Sequence, residues 1–136
     1  MPRLAHVCIE TTDLAKTEAF YNAVGLTRRF EFRNLQGELV GFYLAFENNT
    51  YIEVIKNSKP RGEGIVRHFA VEVDDVDEMH EQLTAAGVDV TEKEFCNDRI
   101  WMVTCKDPNG IFIEFQQYTP ESMQLVGGVC EVDYQP

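Results

Sequence analysis

One stretch of the chain occurs twice. A repeat constrains architecture more than any single motif, because both copies must be built as the same supersecondary unit. The first copy runs Ala5-His6-Val7-Cys8-Ile9-Glu10-Thr11-Thr12-Asp13-Leu14 and closes at Ala23-Val24-Gly25. The second runs Arg67-His68-Phe69-Ala70-Val71-Glu72-Val73-Asp74-Asp75-Val76 and closes at Ala85-Ala86-Gly87. An ungapped shift of 62 residues carries His6 onto His68, Glu10 onto Glu72, Asp13 onto Asp75 and Gly25 onto Gly87. A second echo, Tyr51-Ile52-Glu53-Val54 against Phe112-Ile113-Glu114-Phe115, lies at a shift of 61. The repeat thus pairs two histidines and two glutamates.

Each copy reads as βαβββ. Leu4 to Thr11 alternates as a strand, with His6, Cys8 and Glu10 on one face and Val7, Ile9 and Thr11 on the other. Thr12 or Asp13 caps a helix whose apolar stripe is Leu14, Phe20, Tyr21 and Val24, and Gly25 ends it. Strands follow over Leu26–Phe32, Val40–Glu47 and Tyr51–Ile55, with turns at Asn34–Glu38 and Asn48-Asn49. Polar residues 57–64 carry Pro60, Gly62 and Gly64 and read as a linker. In the second copy, Val66–Val73 is a strand. Asp74 or Asp75 then caps a helix bearing Val76, Met79, His80, Leu83 and Ala86. Strands are expected over Val88–Glu94, Ile100–Cys105 and Ile111–Tyr118. Asp107-Pro108-Asn109-Gly110 is the turn before the last of them. The reading is an α+β chain of one domain: module 4–57, linker 58–65, module 66–118 and a tail 119–136 in which Met123, Leu125 and Val126 could dock on the body.

The bulk properties bound the partners. The chain has 136 residues, 44% of them hydrophobic, enough for one core. Modules of this size are marginal alone, so they are expected to share a core or to pair with a second chain. Twelve Lys and Arg stand against 23 Asp and Glu, a net charge of −11. That balance argues against nucleic acid and against an anionic membrane surface, both of which need clustered positive charge. Cys8, Cys96, Cys105 and Cys130 have no CxxC spacing and read as free thiols of a reducing cytosol. No signal peptide or membrane-length apolar run is visible, so the expected location is cytoplasmic.

The chemistry concentrates in the repeated residues. His6 and His68 begin the first strand of their modules; Glu53 and Glu114 sit within the last. A glutamate between large apolar residues, as in Ile52-Glu53-Val54 and Ile113-Glu114-Phe115, is costly to bury without a partner. A lone strand His is usually packed or exposed, and either Glu alone reads by default as a surface residue. Both pairs recurring at nearly one offset point instead to a shared purpose. If the two sheets face each other, two imidazoles and two carboxylates converge as a His2Glu2 set. Such a set suits a divalent ion such as Zn, Ni, Co, Mn or Fe. His80 has no counterpart in the repeat and reads as structural or exposed.

The βαβββ repeat, the leading His, the Asp-Leu and Asp-Val helix starts, and the Asp107-Pro108-Asn109-Gly110 turn followed by Ile113-Glu114 resemble the vicinal oxygen chelate superfamily. That group includes glyoxalase I, an epimerase, fosfomycin-resistance transferases, extradiol dioxygenases and bleomycin-binding proteins. The resemblance spans roughly Leu4 to Tyr118 and implies curved mixed sheets around a metal-binding cavity. It implies His6, Glu53, His68 and Glu114 as metal ligands, the set typical of glyoxalase I. Asn57 matches a glutathione-contacting position, and Arg99 and Lys106 are the cations near the last strands. Asn57 and Arg99 are therefore the substrate-binding expectations, with glutathione as a cosubstrate. The chain departs from glyoxalase I at Glu10, where an Arg is typical, and this leaves another substrate open. A homodimer is expected from the resemblance alone.

The implied activity is a glyoxalase I-like lyase or isomerase. A divalent ion holding two neighbouring substrate oxygens favours the enediolate charge that forms when a carbon acid loses its proton. Glu114 is the first choice as base, with Glu53 as its partner. The alternatives are a dioxygenase, a thiol transferase or an epimerase on the same scaffold, or a binding protein that holds a small molecule or drug without chemistry. Phe46, Phe69, Trp101 and Tyr43 are candidate pocket aromatics, though at alternating spacing such residues are more often core.

Overall fold

The computed structural model describes residues 4–62 and 64–133. The positions before Leu4, residue 63 of the expected linker and the last three tail residues lie outside that range. By contact, the chain divides into two units: residues up to 65 together with 107–110, and residues 66–106 together with 111 onward.

The first unit contains β1 (His6–Thr11), α1 (Leu14–Val24), β2 (Thr27–Arg33), β3 (Leu39–Ala45) and β4 (Tyr51–Lys56). α1 begins where Asp13 accepts a hydrogen bond from the Lys16 amide at 3.0 Å, relieving one of the unpaired donors of the first turn. It ends at Gly25, whose φ of 111° is cheap only for glycine. The helix buries Leu14, Thr17, Phe20, Tyr21 and Val24. The sheet order is β1-β4-β3-β2, with β1 and β4 parallel and the other pairs antiparallel. Alternation places Ile9, Thr11, Phe42, Leu44, Ile52 and Val54 in the core. Burying each large apolar side chain contributes about 1.5–3 kcal/mol. The other face of the sheet carries His6, Cys8, Glu10, Tyr43, Tyr51 and Glu53.

The second unit repeats the order with β5 (His68–Glu72), α2 (Val76–Ala85), β6 (Glu94–Phe95), β7 (Ile100–Lys106) and β8 (Phe112–Tyr118), the sheet running β5-β8-β7-β6. Asp75 caps α2 through the Asp77 and Glu78 amides at 2.8 and 3.3 Å. Val76, Met79 and Leu83 are buried on the helix; Val103, Cys105, Ile113 and Phe115 are buried on the sheet. Two similar βαβββ units with mixed sheets make this an α+β fold, as the repeat predicts.

One strand differs from expectation. Val88–Glu94 does not form a strand; only Glu94 and Phe95 pair with β7. Thr91 explains the gap. Its amide donates to Thr104 O at 3.0 Å, but the returning Thr104 amide bonds to the Thr91 hydroxyl at 2.8 Å. A side chain has replaced the backbone acceptor, so the ladder does not propagate.

The Asp107–Gly110 turn is closed by Gly110 N to Asp107 O at 3.0 Å, and it clusters with the first unit. There the Asn109 side chain accepts from Thr11 at 2.7 Å and donates to Thr17 at 3.0 Å. The tail is anchored by polar groups rather than by the apolar residues expected. Thr119 and Ser122 hydroxyls both donate to Arg99 O at 2.8 Å, and α3 (Met123–Val126) leaves Leu125 and Val126 exposed. All four cysteines are free. No helix among the described residues is long and apolar enough to cross a membrane.

Candidate metal centre

The repeat is preserved in strand register. In the parallel β1–β4 pair Cys8 lies opposite Glu53; in the parallel β5–β8 pair Ala70 lies opposite Glu114. Each histidine precedes that facing residue by two positions, so it shares the glutamate's face and sits diagonal to it. His6 Nε2 lies 3.2 Å from Glu53 Oε2, and His68 Nε2 lies 3.5 Å from Glu114 Oε1. Both imidazoles are about two-fifths exposed, at 40% and 42%, and both carboxylates about one-fifth, at 20% and 18%. The pairs are therefore reachable from solvent while their glutamates are held against the sheet.

These separations suit a cation. Two ligand atoms at about 2.0–2.2 Å from one ion, at near-tetrahedral or octahedral angles, stand roughly 2.8–3.6 Å apart. Both pairs fall within that window. Among the described residues no group of three or more His, Cys, Asp or Glu side chains is gathered as a metal site. Each unit thus carries one His–Glu pair at ligand-like separation.

The surroundings of the halves differ. Tyr43, opposite Glu53 on β3, places its hydroxyl 3.2 Å from Glu53 Oε2 and 3.5 Å from His6 Nδ1. The position opposite Glu114 on β7 is Thr104, and Glu114 Oε2 accepts instead from the Gln116 amide at 2.8 Å. Partial desolvation, then the Glu53 carboxylate, push the Tyr43 phenol up, so it remains a proton donor. Cys8 on the same face is also pushed up, first by burial and then by Glu53 and Glu10, which disfavours its thiolate.

Aromatic rings continue the first half. Phe30 stacks on Tyr43 at 4.4 Å between centroids, Phe32 meets Tyr43 edge-on at 5.9 Å, and Tyr51 lies tilted at 5.6 Å. Gly41 makes room: a Cβ there would meet the Val54 carbonyl and close on the Phe32 and Ile55 side chains. Of the aromatics singled out in the sequence, Tyr43 joins this face, while Trp101 packs with Phe95 and under Lys93.

The two substrate-binding expectations, Asn57 and Arg99, are each engaged within their own unit. Asn57 donates to Glu10 Oε2 at 2.7 Å, and Arg61 joins the same oxygen at 2.9 Å. These bonds, Asn57's first, pull the Glu10 carboxyl below its usual range. Arg99 adopts a left-handed backbone with φ 64°, and its carbonyl receives the tail. Gln116 and the Tyr43 hydroxyl were not among the site residues expected. Gln116 was detectable as the same-face neighbour of Glu114, two positions on; the Tyr43 contact depends on cross-strand register.

The family described as the Glyoxalase/Bleomycin resistance protein/Dioxygenase superfamily matches residues 3–115. No curated protein sequence matches the chain. Among solved structures, the chain is similar to the trypanothione-dependent glyoxalase I of Leishmania major at 20% identity and TM-score 0.70, covering 86% of this chain and 87% of that one. It is similar to the fosfomycin resistance protein FosX of Listeria monocytogenes, solved with Mn(II) and a dihydroxypropylphosphonic acid, at 19% identity and TM-score 0.70, covering 89% and 96%. It is also similar to TnmS3, an antibiotic-binding protein of a Streptomyces species, at 21% identity and TM-score 0.69, covering 88% and 98%. At these identities the three share the fold.

Proposed function

Because the chain belongs to the Glyoxalase/Bleomycin resistance protein/Dioxygenase superfamily, we propose that it is a metal-dependent lyase or isomerase of the glyoxalase I type. The observation that carries this reading is the pair of register-matched His–Glu contacts, His6–Glu53 at 3.2 Å and His68–Glu114 at 3.5 Å. His6, Glu53, His68 and Glu114 together would hold one divalent ion, each module of the single domain supplying two ligands. The ion, when bound, supplies Lewis-acid stabilisation of negative charge on two neighbouring substrate oxygens.

The chain's own groups do the rest. The Glu114 carboxylate takes a proton from a substrate carbon adjacent to the carbonyl and returns it to the neighbouring carbon, so the net change is an isomerisation. Glu53 holds the opposite side. Asn57 and Arg99 are the proposed substrate contacts, with a hemithioacetal of glutathione as the first substrate to try. Asn57 also donates to Glu10 Oε2 at 2.7 Å, so a substrate would compete with Glu10 for it. The protein is read as a cytoplasmic homodimer with a small-molecule substrate.

The test is metal analysis of purified protein, repeated on His6→Ala and Glu114→Ala, followed by assay on the methylglyoxal–glutathione hemithioacetal. About one ion per chain, lost in both variants, together with turnover abolished by Glu114→Gln, supports the reading. Full activity in Glu114→Gln removes Glu114 as base. A second reading, a small-molecule binding protein without chemistry, is favoured by the exposed ring of Phe30, 47% accessible, beside Phe32 and Tyr43. A chain that takes up none of Ni, Zn, Co, Mn or Fe would leave this second reading standing.

A further inference from the structure

We infer that Tyr43 is a positioning residue that orients both members of the His6–Glu53 pair through one hydroxyl; the inference rests on the metal-site reading above. The phenol oxygen is within reach of two atoms of the pair, Glu53 Oε2 at 3.2 Å and His6 Nδ1 at 3.5 Å. A phenol has one proton to give and lone pairs to receive another. With a cation at the pair, one proton arrangement satisfies both contacts at once: His6 Nδ1–H donates to Tyr43 Oη, and Tyr43 O–H donates to Glu53 Oε2. His6 Nε2 and Glu53 Oε2, 3.2 Å apart, then face a common space. The arrangement fixes which ring nitrogen of His6 is presented there, because the other is committed to the phenol.

The phenol can act this way because its ring is held on several sides. Phe30 stacks on it at an interplanar angle of 25°, Phe32 meets it nearly perpendicular at 77°, and Tyr51 and His6 are tilted against it. The ring packing keeps the hydroxyl at the pair. The second half has no such device among the described contacts. Thr104 occupies the matching register position and is bonded to Thr91, while the His68 ring lies nearly perpendicular to Phe112 at 6.0 Å between centroids. Two halves that match in ligands therefore differ in how firmly the ligands are aimed. The first is preset by a phenol; in the second, the Gln116 amide holds Glu114, and among the described contacts no hydroxyl or amide reaches the His68 ring.

Tyr43→Phe keeps the ring and removes only the hydroxyl. Phe30→Leu removes the stacking partner and keeps the hydroxyl, and serves as the control. Zinc binding by calorimetry should weaken about 10- to 100-fold in Tyr43→Phe, as is usual when a group supporting a metal ligand is lost, and by a smaller factor in Phe30→Leu, where the hydroxyl stays and Phe32 and Tyr51 still pack on its ring. The metal-free protein carries an independent readout. The side-chain 15N resonances of His6 should move in Tyr43→Phe while those of His68 stay in place. Wild-type zinc affinity in Tyr43→Phe would overturn the positioning role and leave the metal reading intact. Unmoved His6 resonances in the metal-free variant would overturn it whatever the affinity. A wild-type protein that binds no zinc or other divalent ion would remove the metal reading, and the positioning role with it.

Discussion

Tyr21 on α1 donates its hydroxyl to Asp107 Oδ2 at 2.9 Å, joining residues 86 positions apart in a buried contact. Tyr21 is 1% exposed and Asp107 4%. The turn that Asp107 opens is local hairpin chemistry, yet its side chains are spent on the first unit: Asn109 bridges Thr11 and Thr17 there. A buried carboxyl depends on its hydrogen-bond partners, because its desolvation is otherwise uncompensated. Tyr21→Phe should therefore cost about 1–3 kcal/mol, read as a fall in the midpoint of chemical denaturation at unchanged slope. An unchanged midpoint would show that this hydroxyl adds nothing that water cannot supply.

Gly41→Ala tests the glycine beneath the aromatic face. The new Cβ would run into the backbone carbonyl of Val54, which a β-ladder cannot easily move, and press on Phe32 and Ile55. Overpacking of this kind costs about 1–3 kcal/mol. Thermal unfolding should show the loss, and near-ultraviolet circular dichroism should show the aromatic cluster disturbed. Retention of both wild-type signals would mean that the strand pair shifts without penalty.

The proposed metal set can be split by complementation. His6→Ala and His68→Ala each remove one ligand from every site, so each alone should lose metal. If the ion draws its two halves from the two copies of a homodimer, a mixed dimer of these variants restores one intact set and loses both ligands from the other. An equal mixture would then recover about a quarter of the wild-type metal, since half the dimers are mixed and half their sites are whole. No recovery would place all four ligands within one chain. Metal content after unfolding and refolding the mixture is the measurement.

The Glu10 contact carries a pH dependence of definite sign. Its folded-state carboxyl is held below the ordinary value of 4.5 by Asn57 and Arg61. A depressed carboxyl contributes stability that is present above its unfolded value and fades as pH falls through the folded one. Arg61→Ala should therefore unfold at slightly lower temperature than wild type near neutral pH, with the gap closing as pH drops below 4.5. The effect is small because the pair is exposed and screened by salt. A gap that persists undiminished in acid would assign the loss to something other than this ion pair.

The helix boundaries were legible because they depend on short-range chemistry. Asp13, Asp75 and Gly25 act on amides and carbonyls within a turn of themselves, so sequence order alone locates them. The same is true of the Asp107–Gly110 turn as a turn. The expected strand over Val88–Glu94 failed because Thr91 turned its hydroxyl to a backbone amide, a competition that no alternation pattern records. The two His–Glu pairs were legible because a repeated sequence folds into a repeated register, and register sets which side chains are neighbours.

What the sequence determined by itself is the modular βαβββ plan, the capped helices and the identity of the paired residues, all of them consequences of local pattern and of repetition. The company those pairs keep is set by long-range packing. Regular alternation from Arg28 opposite Leu44 would have set Arg29 against Tyr43. A register shift between Arg28 and Phe30 instead brings Phe30 there, where it stacks on Tyr43. One extra residue in a strand exchanges its two faces. Whether a ring or a charge meets the phenol beside Glu53 is thus settled by strand pairing, which long-range packing selects and local sequence leaves open.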